Sequence, residues 1–204
     1  MKVPQMVWCA VLLTLAANLL RPVSGRAFAN PPWTHRHATQ NAAPDEAQKT
    51  DAEKSFAQMK SLAGKWEGRV TVTPKMPEMD GALMEVTLRV TSRGNALVHE
   101  MKGAGEADDP ARYDHPVTML YLDGDRLMLT HYCDAGNRPR MTGKLSADGK
   151  RVEFEFLDVA GRTAQGHMHQ AAFTAIDANH HTEDWTFMMG DKPVQAHFDL
   201  QRAK

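Results

Sequence analysis

Residues 65–72 read Lys-Trp-Glu-Gly-Arg-Val-Thr-Val, and this stretch decides the fold. Apolar or small residues (Trp66, Gly68, Val70 and Val72) fall on every second position, and polar or charged residues lie between them. Alternation with a period of two is typical of an antiparallel strand that buries one face and leaves the other in water. We therefore expect a sheet protein.

The alternation recurs along the chain, for example in residues 84–91 and 151–156, and short turn signals separate the apolar runs. Signals such as Asp123-Gly124-Asp125 and Asp148-Gly149-Lys150 tolerate the positive φ that tight hairpins require. Counting between these signals predicts ten strands, at residues 65–73, 82–91, 95–103, 115–123, 126–133, 138–145, 150–157, 165–176, 179–190 and 194–202.

Short connections between all ten strands predict sequential hairpins, and such a meander hides its edges by closing on itself. The predicted fold class is therefore all-β, a ten-stranded antiparallel up-and-down β-barrel. Eight strands already leave room for one small ligand, so a barrel of this size has room for a ligand cavity. A two-sheet sandwich is the alternative architecture.

The N-terminal residues predict an export signal. Lys2 supplies a positive charge, residues 6–20 are almost entirely apolar, and Ala27-Phe28-Ala29 fits the pattern of a cleavage site. The apolar run is shorter than the roughly 20 residues of a spanning helix. We expect a cleaved signal peptide at residues 1–29 and a periplasmic or secreted protein without a membrane span. An uncleaved N-terminal anchor is the alternative.

Two further segments follow the predicted signal peptide. Residues 30–54 are rich in Pro, Ala, Gln and Asn, and they contain too little apolar surface to offset the entropy of ordering, so we predict a disordered tether. Residues 55–204 form the predicted barrel domain. It opens with a short capping helix over residues 55–62, because apolar residues recur there at helical spacing after Ser55, a suitable N-cap.

Charge and cysteine content narrow the classes of function. The predicted signal peptide carries three basic residues and no acidic one, so its removal leaves an acidic chain. The remaining basic residues are scattered, which argues against binding to nucleic acid or to an anionic membrane surface. Only Cys133 remains after cleavage, so the domain has no intramolecular disulfide and depends on its own core.

Gly64-Lys65-Trp66 follows the predicted helix and opens the first strand. This resembles the G-x-W start of the calycin superfamily, which includes the lipocalins, the fatty-acid-binding proteins and avidin-like proteins. The resemblance implies a lipocalin-like barrel in which Trp66 plugs one end and a basic residue from a late strand packs across it. Arg202 is the nearest candidate for that basic residue.

Longer runs are similar to an uncharacterised group of exported bacterial lipocalin-like proteins. The similar runs lie at residues 62–68, 121–133, 135–137, 139–141, 167–169, 183–185 and 198–202. That group has no established activity, so the similarity implies fold and export only.

The same start, extended to Gly68, also resembles the G-x-W-x-G opening of nitrobindin-type barrels. Those barrels have ten strands and hold a haem iron with one His late in the chain. His197 lies in the last predicted strand, as that pattern requires. Period two, however, places His197 opposite Phe198 and Leu200 and so points it outward.

Period two also indicates which polar residues face the interior. His131 shares a strand face with Leu127 and Leu129, and Glu183 shares one with Trp185. The residues predicted to converge on the cavity are Trp66, Tyr121, His131, His167, His169, Glu183 and Trp185. A buried polar group costs about 1–3 kcal/mol unless it is paired. These residues therefore form a mutual network, line a ligand pocket or hold a metal ion.

Each of the last two alternatives has its own set of residues. A pocket for a small apolar or amphipathic molecule would use Trp66, Tyr121, His131, His169, Glu183 and Trp185. A metal site would use His131, His167 and His169, with Cys133 or Glu183 completing a tetrahedral set. The sequence specifies no cofactor.

The sequence favours a binding protein over an enzyme, because it contains no familiar catalytic motif. Cys133 and His131 could act as nucleophile and base, but no oxyanion hole or third group is evident. His180 and His181 are predicted to lie in a solvated loop. We predict an exported binder of a small, mostly apolar molecule. A metal- or haem-binding barrel is the alternative, and a ligand-free structural role is a third reading.

Overall fold

The computed structural model describes residues 49–204 and shows one helix followed by ten strands. The predicted signal peptide and all of the predicted tether up to residue 48 lie outside the described residues. The elements are α1 (Asp51–Ser61), β1 (Gly64–Thr73), β2 (Leu83–Thr91), β3 (Ala96–Gly103), β4 (Val117–Asp123), β5 (Arg126–Tyr132), β6 (Asn137–Leu145), β7 (Arg151–Gly161), β8 (His167–Asp177), β9 (His180–Met189) and β10 (Lys192–Arg202).

The ten strands form a closed antiparallel barrel in which each strand pairs with its neighbours in the chain. β1 closes the barrel because it pairs with β2 on one side and with β10 on the other. The predicted all-β barrel is confirmed, and the two-sheet alternative is wrong. β7 differs most from its prediction, since it continues to Gly161 instead of ending at residue 157. Residues 158–160 carry no turn signal that would end a strand earlier.

The helix begins earlier than predicted. Thr50 is its N-cap and forms a capping box with Glu53, so the N-cap assignment of Ser55 is wrong. The Ser55 hydroxyl instead donates to the carbonyl of Asp51 and accepts the backbone N–H of Leu145 in β6. The helix therefore continues one turn further into the predicted tether and is tied to the end of the barrel.

The helix end of the barrel is the end at which β1 begins and β10 finishes, and it is sealed. Phe56 and Met59 of α1 belong to the same buried core as Trp66, which is 1% exposed. The Trp66 indole N–H donates to the carbonyl of Leu62 at 2.9 Å. The Arg202 guanidinium lies 4.1 Å from the centre of the Trp66 ring, as the resemblance implied.

The opposite end, which we call the upper end, is less completely covered. Inward-facing apolar side chains near this end, including Met84, Met168 and Val194, are only partly buried against the core. The wall also separates there, because the pairing of β7 with β8 stops at Glu155 and Gln170. The rest of β7 up to Gly161 and the first residues of β8 do not pair with each other.

We expect Arg202→Met to lower the free energy of unfolding by about 2 kcal/mol, because a cation–π contact and hydrogen bonds to two carbonyls are lost. Urea denaturation followed by tryptophan fluorescence measures the change. Arg126→Met is the matched control, since Arg126 is exposed and pairs only with Asp123 in its hairpin. Equal losses in the two variants would contradict a sealing role for Arg202.

Candidate functional site

The centre of the barrel holds a cluster of buried polar side chains contributed by two strands that are not neighbours. His99 lies on the inward face of β3, between Leu97 and Met101. His181, Glu183 and Trp185 occupy successive inward positions of β9. Strand alternation in β3 and β9 therefore aims these four side chains into one space.

Glu183 is the centre of this cluster. Its carboxylate lies 3.0 Å from His99 Nε2, accepts from Trp185 Nε1 at 3.0 Å and lies 3.1 Å from His181 Nε2. Because β3 and β9 are separated by three or more strands in either direction around the barrel, the contact with His99 crosses the interior. Glu183, His99 and His181 are all 0% exposed. We call His99, His181, Glu183 and Trp185 the central cluster.

The central cluster keeps Glu183 ionised. Burial alone would raise the pKa of the Glu183 carboxyl, but the charge of His99 and the hydrogen bonds from His181 and His99 outweigh it and hold the pKa well below its usual range. Removing one partner of a buried ion pair is strongly destabilising, because the charge that remains is no longer compensated. The cluster is therefore a tie between opposite walls of the barrel.

Aromatic rings surround the imidazoles of the central cluster. The ring of His181 lies 4.2 Å from that of Trp66, edge to face, and Phe173 contacts both His99 and Trp185 in the same way. Within residues 49–204, the Nδ1 atoms of His99 and His181 are buried without a hydrogen-bond partner. Each imidazole thus contacts Glu183 through its Nε2 atom, and its Nδ1 atom faces apolar surroundings.

His131 lies beside the central cluster, on β5. Its Nδ1 atom is 2.8 Å from the Thr118 hydroxyl, and its ring is 5.5 Å from that of Trp185. Burial, assisted by the nearby charge of His99, lowers the pKa of His131 to about 4. His131 is therefore a neutral, buried imidazole at neutral pH.

The structure brings four of the predicted cavity residues into the interior. Trp66, His131, Glu183 and Trp185 are each no more than 3% exposed. Tyr121 does not join them, so its predicted inward orientation is wrong. Leu120 and Leu122 pack against the core from β4, and the Tyr121 hydroxyl instead contacts the Thr130 hydroxyl on the other face of the wall.

The remaining two predicted residues lie near the upper end. His167 and His169 are partly buried and lie among the first residues of β8. The centre of each ring is 4.8 Å from the centre of the Phe156 ring. The set of His131, His167 and His169 stays a prediction. In the part of the chain that the structure describes, the one group of three or more possible ligands with all atoms within 4.8 Å is Asp114, Cys133 and Asp134.

Sequence reasoning missed His99 and misplaced His181. His99 alternates with Leu97 and Met101, so the signal for an inward position was available. His181 was assigned to a solvated loop, which is wrong, because β9 begins at His180 and the first inward position is already buried. The neighbouring His180 does lie on the outer side, beside Asp199.

His197 lies on the outside of the barrel, as period two indicates. Its Nδ1 atom is 2.7 Å from the Asp184 carboxylate, and its side chain is 48% exposed. This pair and Arg151 line a surface cleft of about 420 Å³ that runs across the outer faces of β7 to β10 and β1. His197 is therefore not placed to bind a group inside the barrel.

Comparison with known proteins adds information on the fold. No family model and no curated protein matches the chain. The crystal structure of Rv2717c from M. tuberculosis is similar, with 15% identity and a TM-score of 0.53, over 74% of this chain and 98% of that one. A protein of unknown function from the DUF3598 family of Nostoc punctiforme PCC 73102 also matches, with 7% identity and a TM-score of 0.22, over 73% of this chain and 99% of that one. The likeness to Rv2717c shows the fold alone.

We expect Glu183→Gln to lower the free energy of unfolding by about 3 kcal/mol, because the amide cannot balance the two imidazoles as a carboxylate does. Chemical denaturation at neutral pH measures it. Glu67→Gln, an exposed position on β1, is the matched control and should change stability little. If Glu183→Gln lowers the free energy of unfolding no more than Glu67→Gln does, the contact across the barrel contributes nothing to stability.

His131 gives a prediction about pH. In the unfolded chain the ring takes up a proton near its usual pKa of 6.5, whereas in the folded barrel it does so only near 4. The stability that the neutral ring provides is therefore complete above pH 6.5 and is lost as the pH falls from 6.5 to 4. The free energy of unfolding of the wild type, minus that of His131→Gln, should fall by roughly 3 kcal/mol over this range. A difference that does not change with pH would contradict the assignment.

Proposed function

We propose that the protein binds a small, mostly apolar molecule at the upper end of the barrel, above the central cluster. The observation that carries this proposal is the contrast between the two ends. At the helix end Phe56, Met59 and Trp66 are almost completely buried, whereas near the upper end Met84, Met168 and Val194 remain partly exposed. Inward-facing apolar surface that the chain itself leaves uncovered is suited to a ligand.

The central cluster supports the upper end as the binding region. Its side chains and the rings around them fill the middle of the barrel, so a ligand there would have to break the bonds of Glu183. Trp66 lies still further from the upper end, beneath Arg202. A ligand above the cluster would meet Met84, Met168 and Val194 before it reached Trp185 and His131, and it would leave the buried carboxylate paired.

The separation of β7 from β8 supports a route of entry. Beyond Glu155 and Gln170 no ladder hydrogen bonds join the two strands, so this part of the wall opens at lower energetic cost than the paired remainder. Phe156 and Met168 lie at its margins. Methionine side chains adapt to varied apolar shapes. This combination favours a carrier or sensor for a small molecule, acting in the exported location that the N-terminal residues predict.

The test uses an environment-sensitive apolar dye, anilinonaphthalene sulfonate, with the purified full chain. We expect saturable binding of one dye per chain, with energy transfer from tryptophan. Met168→Glu should weaken binding by about tenfold or more, since it places a charge in the proposed site. Ile176→Glu is the matched control: it makes the same change on β8 at an exposed position near the helix end.

The control separates the proposed site from binding to a loosened fold. Circular dichroism melting of each variant shows that the barrel is intact before the dye is added. Binding that Met168→Glu leaves unchanged, or that both variants lose equally, would contradict the upper-end site.

A further inference from the structure

Eight histidines lie within residues 49–204, and six of them lie close to a side-chain oxygen. Five contact a carboxylate oxygen: His99, His115, His180, His181 and His197. The sixth, His131, contacts the Thr118 hydroxyl. His167 and His169 differ, because in the described chain their rings make polar contact only with each other. This pair therefore lacks the oxygen partner that each of the other six has.

The two rings are held at a distance suited to a metal ion. His167 Nε2 and His169 Nδ1 are 3.4 Å apart. Two imidazole nitrogens bound to one tetrahedral ion, at about 2.0–2.1 Å each, lie about 3.4 Å from each other. Without a metal, the hydrogen bond between the two rings contains one proton. An ion between the rings would take its place, and that proton would move to the other nitrogen of the ring that carries it. Binding at this site therefore needs little movement of the chain.

A β-bulge produces this geometry. Met168 pairs with Phe187 and Gln170 pairs with Thr186, so His169 is the extra residue between two regular pairs. In a regular strand His167 and His169 would stand side by side about 7 Å apart, whereas a bulge re-aims one side chain. The ring of Phe156 contacts both imidazoles and supports them from one side.

A methionine is paired with His167 across the sheet. Met188 on β9 is the direct cross-strand partner of His167, so its side chain leaves the sheet on the same face. No carboxylate is in contact with either ring in the described chain, so the site offers nitrogen and sulfur donors instead of oxygen. Thioether sulfur selects Cu(I) among the ions that imidazole also binds.

From this geometry we propose that His167, His169 and Met188 form a binding site for Cu(I) near the upper end of the barrel. This inference is independent of the apolar ligand proposed above, since it rests on the β8 bulge and not on the partly exposed interior. His131, Cys133 and Glu183 take no part in it.

The test measures transfer of Cu(I) from its bicinchoninate complex to the full chain, without oxygen and without a polyhistidine tag. The wild type should remove one equivalent more than His167→Ala/His169→Ala. The matched control is His180→Ala/His197→Ala, which removes two histidines of the outer surface and should behave as the wild type does. Met188→Leu should weaken Cu(I) binding by about tenfold or more, the scale on which the loss of supporting contacts affects metal affinity.

Two further measurements keep the test independent of folding. Circular dichroism melts of all variants should coincide, because the three side chains are not part of the buried core. X-ray absorption of the wild-type complex should show nitrogen and sulfur neighbours around copper. Equal Cu(I) uptake by the wild type and His167→Ala/His169→Ala would overturn the site. Tighter binding of Zn²⁺ than of Cu(I), with no effect of Met188→Leu, would overturn the assignment of the metal.

Discussion

The barrel depends on the ionised carboxylate of Glu183, which is buried at its centre. A charge in an apolar interior is tolerated only when donors surround it, and three side chains, His99, His181 and Trp185, provide them. Because His99 comes from a strand across the interior, the requirement fixes the separation of two walls as well as the state of one side chain.

The two ends of the barrel on either side of the central cluster are unequal. On one side of the central cluster, α1, Trp66 and Arg202 complete a continuous buried core, so little change in shape is available there. On the other side Met84, Met168 and Val194 are only partly covered, and β7 and β8 separate. The proposed ligand site and the proposed Cu(I) site both lie on this second side. Within residues 49–204 no helix has the length and apolarity needed to cross a membrane.

Much of the fold follows from period two and from turn chemistry, because both are local properties of the sequence. The packing of Arg202 over Trp66 was implied by the resemblance of the opening motif to the calycin superfamily. Tyr121 was misassigned because both faces of β4 carry apolar residues, so alternation does not reveal which face is inside. The inward position of His99 could be predicted from the alternation of its own strand. Its bond to Glu183 joins distant strands and therefore has no local signal. The bulge at His169 involves no glycine, so nothing in the sequence marks it.

The central claim is that a small molecule binds above an intact central cluster. The most direct test is to follow the indole N–H signals of the tryptophans by nuclear magnetic resonance while the apolar dye is added to ¹⁵N-labelled protein. The Trp185 N–H donates to Glu183 and lies next to the proposed site, whereas the Trp66 N–H donates to Leu62 at the sealed end. A saturable shift of the Trp185 signal with the Trp66 signal unmoved is the predicted result. Movement of both signals together, or of the Trp66 signal alone, would contradict the claim.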